Sequence, residues 1–504
     1  MTDQPLKTRP RIWDTGGGDR LPPNFTVPAP PAQHLPDPTD IYDASAGVPM
    51  PHRITAILAV SFGSALVVID GAIPTVALPS IARDLHVDSS SVVSIVTTYQ
   101  LILVMALLPF SGLGDRIGLK RMYQIGQTMF TVATILCFFA HSLAFLLIVR
   151  AAQAIGAAAA LSVSSALVRA IYPSNALGRG LALNSLVVSA GASIAPTLGG
   201  LVLAIAPWPW VFASAVPFAM LSLLFGRALP DPKLRPEPFD LMGAVMCAAM
   251  FGLIIGGLES AVHGDSPVVS AAIVLTGLLI AVLVVRKESR EPVPIFPVDL
   301  LRRPVIGLSV LGGYLAFIAS MTLLLSMSFR LQHAYGFSPS EAGAVIGVWP
   351  LTMMIVAPAA GALSDRYPAG LLGGIGMTIG VVALLFIGFM PDHPGYWEVA
   401  WRMSLAGLGF GLYLSPNARL IIGSVPRDRV APAGGLVSTT RLVGQTTGAT
   451  MVAALLALGI GDGRVPPLVA CGLAAIAGIA SVVRLTPRVR APNADQRGDG
   501  ATTP

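Results

Sequence analysis

Charge is sparse in this chain. Asp, Glu, Lys and Arg make up 12% of its 504 residues and apolar residues 54%, whereas soluble domains carry roughly a quarter charged side chains. With a mean hydropathy of +0.73, a chain this long cannot present a water-soluble surface, which excludes the soluble globular classes. Cysteine is scarcer still. Cys137, Cys247 and Cys471 each lie inside an apolar run, so they read as small packing residues and not as a disulfide framework or a thiolate metal site. The histidines do not cluster: His86, His141, His263, His333 and His393 all fall in expected loops on one side. No Walker loop, nucleophile elbow or H-E-x-x-H occurs, which removes an ATP-driven pump and an intramembrane enzyme. No short leading apolar stretch with a small-residue cleavage site is found, so no cleaved signal peptide is expected.

What is present is apolar sequence in units of bilayer length. About fourteen segments of some twenty residues recur, at 54–78, 91–111, 122–140, 143–169, 180–206, 209–228, 240–259, 267–285, 305–329, 339–363, 371–390, 397–422, 431–459 and 465–484. The reading is an all-α polytopic membrane protein. The polar, proline-rich stretch 1–52 and the polar stretch 485–504 cannot bury enough surface to fold and are expected to be disordered tails. An even number of spans puts both tails on one side. Arg116, Lys120, Arg121, Arg227, Lys233, Arg235, Arg286, Lys287, Arg290, Arg302, Arg303, Arg427 and Arg429 fall in connections of that same side. The net charge of +6 therefore gives a membrane orientation, with both termini cytoplasmic, and not a nucleic-acid surface. Trp208, Trp210, Trp397 and Trp401 fall at expected outer ends, where indole rings anchor at the interface.

Two apolar runs meet at Gly112-Leu-Gly-Asp115-Arg116-Ile-Gly118-Leu-Lys-Arg121. Its glycines let two helices approach and reverse within a few residues, and its charges hold the turn at the water boundary. The stretch resembles the signature loop of the major facilitator superfamily, G-x-L-x-D-R-x-G-R-K, between helices 2 and 3. Arg150-Ala-Ala-Gln153-Ala-Ile-Gly156 is similar to that superfamily's R-x-x-Q-x-x-G motif. Gly191-Ala-Ser-Ile-Ala-Pro196-Thr-Leu-Gly199-Gly200 resembles the G-x(3)-G-P-x(2)-G-G motif of drug antiporters, with Ala195 for the second glycine. Ile69-Asp70-Gly-Ala-Ile-Pro-Thr-Val-Ala-Leu-Pro79 resembles the L-D-x-T-I-V-N-V-A-L-P of the fourteen-helix drug:proton antiporters, with Ala72 for Thr and Thr75 for Asn. Trp208-Pro-Trp210-Val-Phe212 and Phe239-Asp240-Leu-Met-Gly243 fit the same subfamily.

The resemblance implies two six-helix bundles, 53–230 and 304–484, with two inserted helices and linkers at 231–303. Internal repetition agrees. A weaker hinge occurs at Gly361-Ala-Leu-Ser-Asp365-Arg366, and Arg169 and Arg419 each follow their hinge aspartate by 54 residues. Arg150 and Arg402 correspond approximately.

The ionisable residues inside apolar runs carry the chemistry. Asp70 and Arg150 each cost a few kcal/mol in hydrocarbon unless they face a cavity or a partner, and both fall roughly 11 Å below the outer surface at 1.5 Å per residue. Asp70 reads as a proton-responsive carboxylate or as a satisfied packing residue; Arg150 reads as its coupling partner or as a hydrogen-bond hub. Glu259 is a second protonatable site or an interfacial residue. Pro196 with Gly199 and Gly200 permits a bent, tight helix crossing, and with Gly112, Asp115, Arg116, Gly118, Arg121, Asp365 and Arg366 it is assigned to conformational gating. The family further implies a central cavity lined by Tyr99, Gln153, Asn184, Tyr314, Met321, Gln332, Met353 and Asn417, whose thioether and aromatic side chains suit loosely specified ligands. The expected function is proton-coupled antiport of lipophilic or cationic drugs by a monomer in a bacterial cytoplasmic membrane, without cofactor or metal. A dedicated natural-product exporter and a proton-coupled or facilitative importer are the alternatives.

Overall fold

The computed structural model describes residues 47–486 except 51, 174–175, 232–239, 265, 292–296 and 427–428. Nearly all of the expected tails, together with Lys233, Arg235, Phe239 and Arg427, lie outside the described residues. The first half of the chain forms α1 (His52–Ala72), α2 (Pro74–Asp84), α3 (Ser89–Ile117), α4 (Leu119–Cys137), α5 (Leu143–Ile171), α6 (Leu177–Ile205), α7 (Pro209–Ala213) and α8 (Val216–Gly226). Then come α9 (Leu241–Val262), α10 (Pro267–Glu288) and the short α11 (Val298–Leu301). The second half forms α12 (Pro304–Phe329), continued by a π-helical turn at Arg330–Ala334, α13 (Pro339–Leu363), α14 (Ala369–Gly388), α15 (Tyr396–Gly423), α16 (Val430–Ala457) and α17 (Val465–Val483).

Every expected segment falls on helix, and among the described residues eleven helices are long and apolar enough to cross a membrane by length and composition. α4, α15 and α16 fall short of that composition because they carry Lys120 and Arg121, Glu398 and Arg402 with Asn417 and Arg419, and Arg441 with a row of threonines. Two single spans expected from sequence are broken. Pro74 and Pro79 remove backbone donors, so 54–78 divides at Ile73 into α1 and α2; Pro217 has the same effect between α7 and α8.

Helix starts are fixed by polar caps. The Asp88 carboxylate accepts from Ser91 N at 2.9 Å to open α3, Asp240 accepts from Gly243 N at 2.9 Å to open α9, and Ser338 with Glu341 forms a capping box on α13. A hydrogen bond from the Ser90 hydroxyl, against a smaller burial effect, pulls the Asp88 carboxyl down to about 2. At Asp240 burial opposes ionisation, but the hydrogen bond from Lys287 wins and holds the carboxyl below its usual range.

The basic connections gather on one face. Lys120 Nζ donates to Arg227 O at 2.9 Å, Lys287 pairs with Asp240, Arg303 donates to Ser424 O at 3.3 Å, and Arg429 meets Asp299 at 2.6 Å. Packing differs between this basic face and the opposite one. Toward the opposite face, buried apolar side chains from α2, α3 and α5 join those of α12, α13 and α16 in one continuous cluster that includes Ile73, Val92, Phe329, Ile346 and Val452. Toward the basic face the core is divided. Ile57, Met122, Val163 and Leu167 cluster within the first half, and Ile306, Ile421, Ala433 and Leu436 within the second. The pair α9 and α10 packs through α9 alongside α3 and α16, and Glu259 of α9 accepts from Thr97 of α3 and Thr450 of α16, both at 2.9 Å.

Candidate functional site

The break in the first span builds the site. Pro74 has no N–H to offer the Asp70 carbonyl, and Arg150 Nη2 of α5 reaches that carbonyl at 3.4 Å. The same guanidinium donates from Nη1 to Asp70 Oδ2 at 2.5 Å and to Gln153 Oε1 at 2.6 Å, and from Nε to Ile95 O at 3.4 Å. Gln153 Nε2 donates to Asp70 Oδ1 at 2.9 Å and to Thr134 Oγ1 at 2.8 Å. Both Asp70 oxygens are thus held by donors, as a buried carboxylate requires. The Arg150 guanidinium also lies 4.1 Å from the Tyr99 ring centroid and 5.5 Å from that of Phe212. Asp70, Arg150 and Gln153 are each 0% exposed. The i, i+3 spacing of Arg150 and Gln153 puts both heads on one face of α5, and Gly156 one turn on lets α4 close in: a Cβ there would stand 2.6 Å from Phe130 N.

The second proline of the broken segment ties the two halves together. Pro79 leaves the Thr75 carbonyl without its helical donor, and Ser328 Oγ of α12 supplies one at 2.7 Å. Gln332 Nε2, in the π turn, donates to Val76 O at 3.0 Å. Beside it α6 crosses α13 backbone to backbone. A Cβ on Gly343 would lie 2.6 Å from Pro196 O and 2.8 Å from Gly200 Cα, and a Cβ on Gly199 would lie 2.9 Å from Ile73 O.

A buried ion pair at a helix break, beside a glycine-lined crossing between halves, agrees with the chain's kinship. The Major Facilitator Superfamily profile matches residues 60–390 and 309–503. The chain is a member of the Major Facilitator Superfamily. Among its relatives, "Uncharacterized transporter YebQ" of Escherichia coli (strain K12) is 40% identical over 450 residues, covering 88% of this chain and 98% of that one. "Multidrug resistance protein Stp" of Mycobacterium tuberculosis (strain ATCC 25618 / H37Rv) is 29% identical over 412 residues, 80% and 76% of the two chains. Such names support the likeness to drug:proton antiporters. Among solved structures, a peptide transporter POT in complex with sulfate superposes with a TM-score of 0.65 at 16% identity, covering 90% of this chain and 98% of that one, which shows the fold.

In this major facilitator the signature hinge has the geometry its glycines suggest. Gly118, at φ +100°, both ends α3 and begins α4, a conformation open to glycine at little cost. Gly114 abuts Val163 of α5, 2.5 Å from where its Cβ would be. Gly112 is half-buried, and Asp115, Arg116 and Arg121 are exposed at the basic face. In the second half Asp365 pairs with Arg419, which also donates to Gly361 O at 2.6 Å, so this hinge charge is held within its own half; Arg366 is exposed.

The eight side chains assigned to a cavity do not converge. Tyr99 and Gln153 belong to the Asp70 cluster, and the Tyr99 hydroxyl donates to Val67 O at 3.1 Å. Met321 is buried in the core beneath Gly448. Gln332 staples α2 to α12 at the opposite face. Asn417 sits in a buried network with Arg484 and Ser309 at 2.6 and 3.0 Å. Tyr314, Met353 and Asn184 are half-buried; Tyr314 OH meets Thr447 Oγ1 at 3.2 Å, and Asn184 Oδ1 has no partner among the described residues. Arg402, the approximate counterpart of Arg150, has no Asp70 equivalent among the described residues and pairs with Glu398 on its own helix at 3.0 Å. Trp208 is no interfacial anchor. It is buried, and its Nε1 donates to Asp84 Oδ2 at 2.6 Å, whereas Trp210, Trp397 and Trp401 are exposed.

Sequence reasoning passed over Arg441. It stands in the middle of α16, and the signal was available: an arginine inside an apolar run is as costly there as Arg150 is in α5.

Proposed function

We propose that this multi-pass membrane protein is a proton-coupled antiporter that exports lipophilic small molecules by alternating access, with fourteen helices crossing the bilayer. In this reading 53–230 and 304–484 are the two moving bundles, 231–303 is a pair inserted beside them, and a single chain suffices. The divided core toward the basic face supports it: the state described is sealed at one face by α2, α6, α12 and α13 and parted at the other. The positive-inside bias makes the parted face cytoplasmic.

Asp70 is the proposed proton site. Protonation there breaks the pair with Arg150, releases the guanidinium and frees α1 and α2 to move against α5. Because α2 is hydrogen-bonded across to α12 through Thr75 and Val76, a change at Asp70 lies within two helical turns of the seal. Pro196, Gly199 and Gly200 with Gly343 form the crossing that opens, and the Gly112–Arg121 hinge with Asp365 and Arg366 sets the balance between the two states. Tyr314, Met353 and Asn184 remain candidates for the substrate's surroundings.

The energetics suffice. One inward proton releases about 2.3 kcal/mol per 100 mV and about 1.4 kcal/mol per tenfold gradient. Together these sustain a gradient of more than about a hundredfold for a neutral drug at one proton per cycle. In proteoliposomes holding the purified chain, an imposed pH gradient should drive uphill movement of a lipophilic dye, and a protonophore should erase it. Dye movement that survives full collapse of the gradient, or that runs with the protons, would sink the antiport reading.

A further inference from the structure

Among the described residues, the interior arginines of this protein are partnered, with one exception. Arg150 is held by Asp70, Arg330 donates to Ile387 O at 2.9 Å, Arg402 pairs with Glu398, and Arg484 donates to Asn417 Oδ1 at 2.6 Å and to Ser309 Oγ at 2.7 Å. Arg441 has neither a hydrogen bond nor an ion pair among the described residues. It lies eleven residues into α16, about 16 Å along the helix and so near mid-membrane. A guanidinium kept there unpaired is costly unless it faces a water-filled space or a ligand.

The packing of α16 leaves one of its faces unaccounted for. Gly444 and Gly448 lie against Tyr314 O and Ile318 O, and Thr447 meets Tyr314, so that face packs on α12. Thr450 is taken by Glu259 of α9, and Leu442 packs among Tyr99, Leu103 and Val104. The remaining stripe is Ser438, Arg441 and Gln445, spaced i, i+3, i+7 and turned away from α9. All three are half-buried, and none makes a side-chain hydrogen bond among the described residues. Toward the opposite face the stripe ends at Val452, which is 0% exposed in the continuous core. Toward the basic face it runs where the core divides.

We propose that Arg441 and Gln445 form the head-group site of the transport cavity, and that the cargo carries an anionic group, a carboxylate or phenolate, on an apolar body. Arg441 offers a planar fork that takes two oxygens of one anion, and Gln445, a turn away, supplies both a donor and an acceptor for a neighbouring carbonyl or hydroxyl. This deepens the export reading above. It narrows the cargo from lipophilic compounds at large to amphipathic anions and zwitterions, and disfavours permanent cations.

The test uses two dyes on one xanthene skeleton, fluorescein, a dianion at pH 8, and rhodamine 123, a cation, titrated by anisotropy against the purified full chain in detergent with empty-micelle binding subtracted. The wild type should prefer fluorescein, and Arg441→Gln should weaken fluorescein about tenfold or more while rhodamine 123 stays within about twofold, since one charge-assisted pair is lost. Arg441→Lys should lie between, because it keeps the charge and loses the fork. Equal fluorescein affinity in wild type and Arg441→Gln would overturn the proposal. So would a parallel loss of both dyes, which would mark Arg441 as structural. If Arg441→Gln is not recovered monodisperse, Arg441→Lys with Gln445→Leu decides: unchanged fluorescein affinity in both refutes the site. No gradient enters this assay, so a wild type that binds fluorescein through Arg441 but fails to move it against protons would remove the coupling and leave the recognition standing.

Discussion

Replacing Asp70 by asparagine separates the two tasks that its pair with Arg150 performs. Deleting one member of a buried ion pair costs about 3–5 kcal/mol, because the survivor is left charged in an apolar interior. The amide keeps an acceptor oxygen for Arg150, and the guanidinium retains Gln153 Oε1 at 2.6 Å and the Tyr99 ring at 4.1 Å. The loss should therefore sit at the low end, about 3 kcal/mol. Thermal unfolding of Asp70→Asn in detergent should show it, and Asp70→Asn combined with Arg150→Gln should recover about 2 kcal/mol through the shared term. In proteoliposomes the single variant should lose gradient-driven efflux and keep counterflow exchange of the same dye at zero gradient, since the binding space is intact and only the proton step is gone. Efflux at the wild-type rate would refute the coupling role. A stability change under about 1 kcal/mol would refute the energetic account of the pair.

Three further outcomes follow from the geometry. Gly343→Ala places a Cβ 2.6 Å from Pro196 O, so α6 and α13 must part; thiol labelling of single cysteines at the opposite face should rise several-fold, and unchanged labelling would argue against a crossing that opens there. Asp115→Asn should slow turnover and shift the inward/outward balance without altering dye affinity; an affinity change alone would place it in the binding site. Asp88→Ala removes a helix cap worth about 1 kcal/mol. Because the folded carboxyl titrates at about 2, below its unfolded value, the cap's contribution is complete above the unfolded pKa and fades as pH falls toward 2. The melting difference between Asp88→Ala and wild type should therefore be full at pH 5 and shrink on acidification, and a pH-independent difference would refute the ionised cap.

Much of the candidate site was legible because hydrocarbon makes charge conspicuous. Asp70 and Arg150 stood out inside apolar runs, and matching depth from the same face placed them level, as the structure has them. Gly118 was legible for a different reason, since a two-helix reversal calls for a positive φ that side chains resist. The cavity residues were not legible. Gln332, Asn417 and Trp208 are polar or amphipathic residues in helices, as cavity-lining and interfacial residues are, and only their neighbours show that they staple α2, hold Arg484 and clamp Asp84. Arg441 carried the same signal as Arg150, but whether a partner answers it depends on which helix lies across from it.

Sequence alone determined that the chain lives in a membrane, that its segments are helices, that its basic connections share a face and that its hinge turns at a glycine. These follow from local rules: a backbone in lipid must satisfy itself within each segment, and composition fixes where it can leave. Tertiary structure alone decided that Pro74 and Pro79 break the first span so that freed carbonyls meet Arg150 and Ser328, that the core is continuous at one face and divided at the other, and that Arg441 goes unanswered among the described residues. Those depend on which surfaces meet, and in an interior where most side chains are equally apolar, the pattern along one helix does not say which other helix it will face.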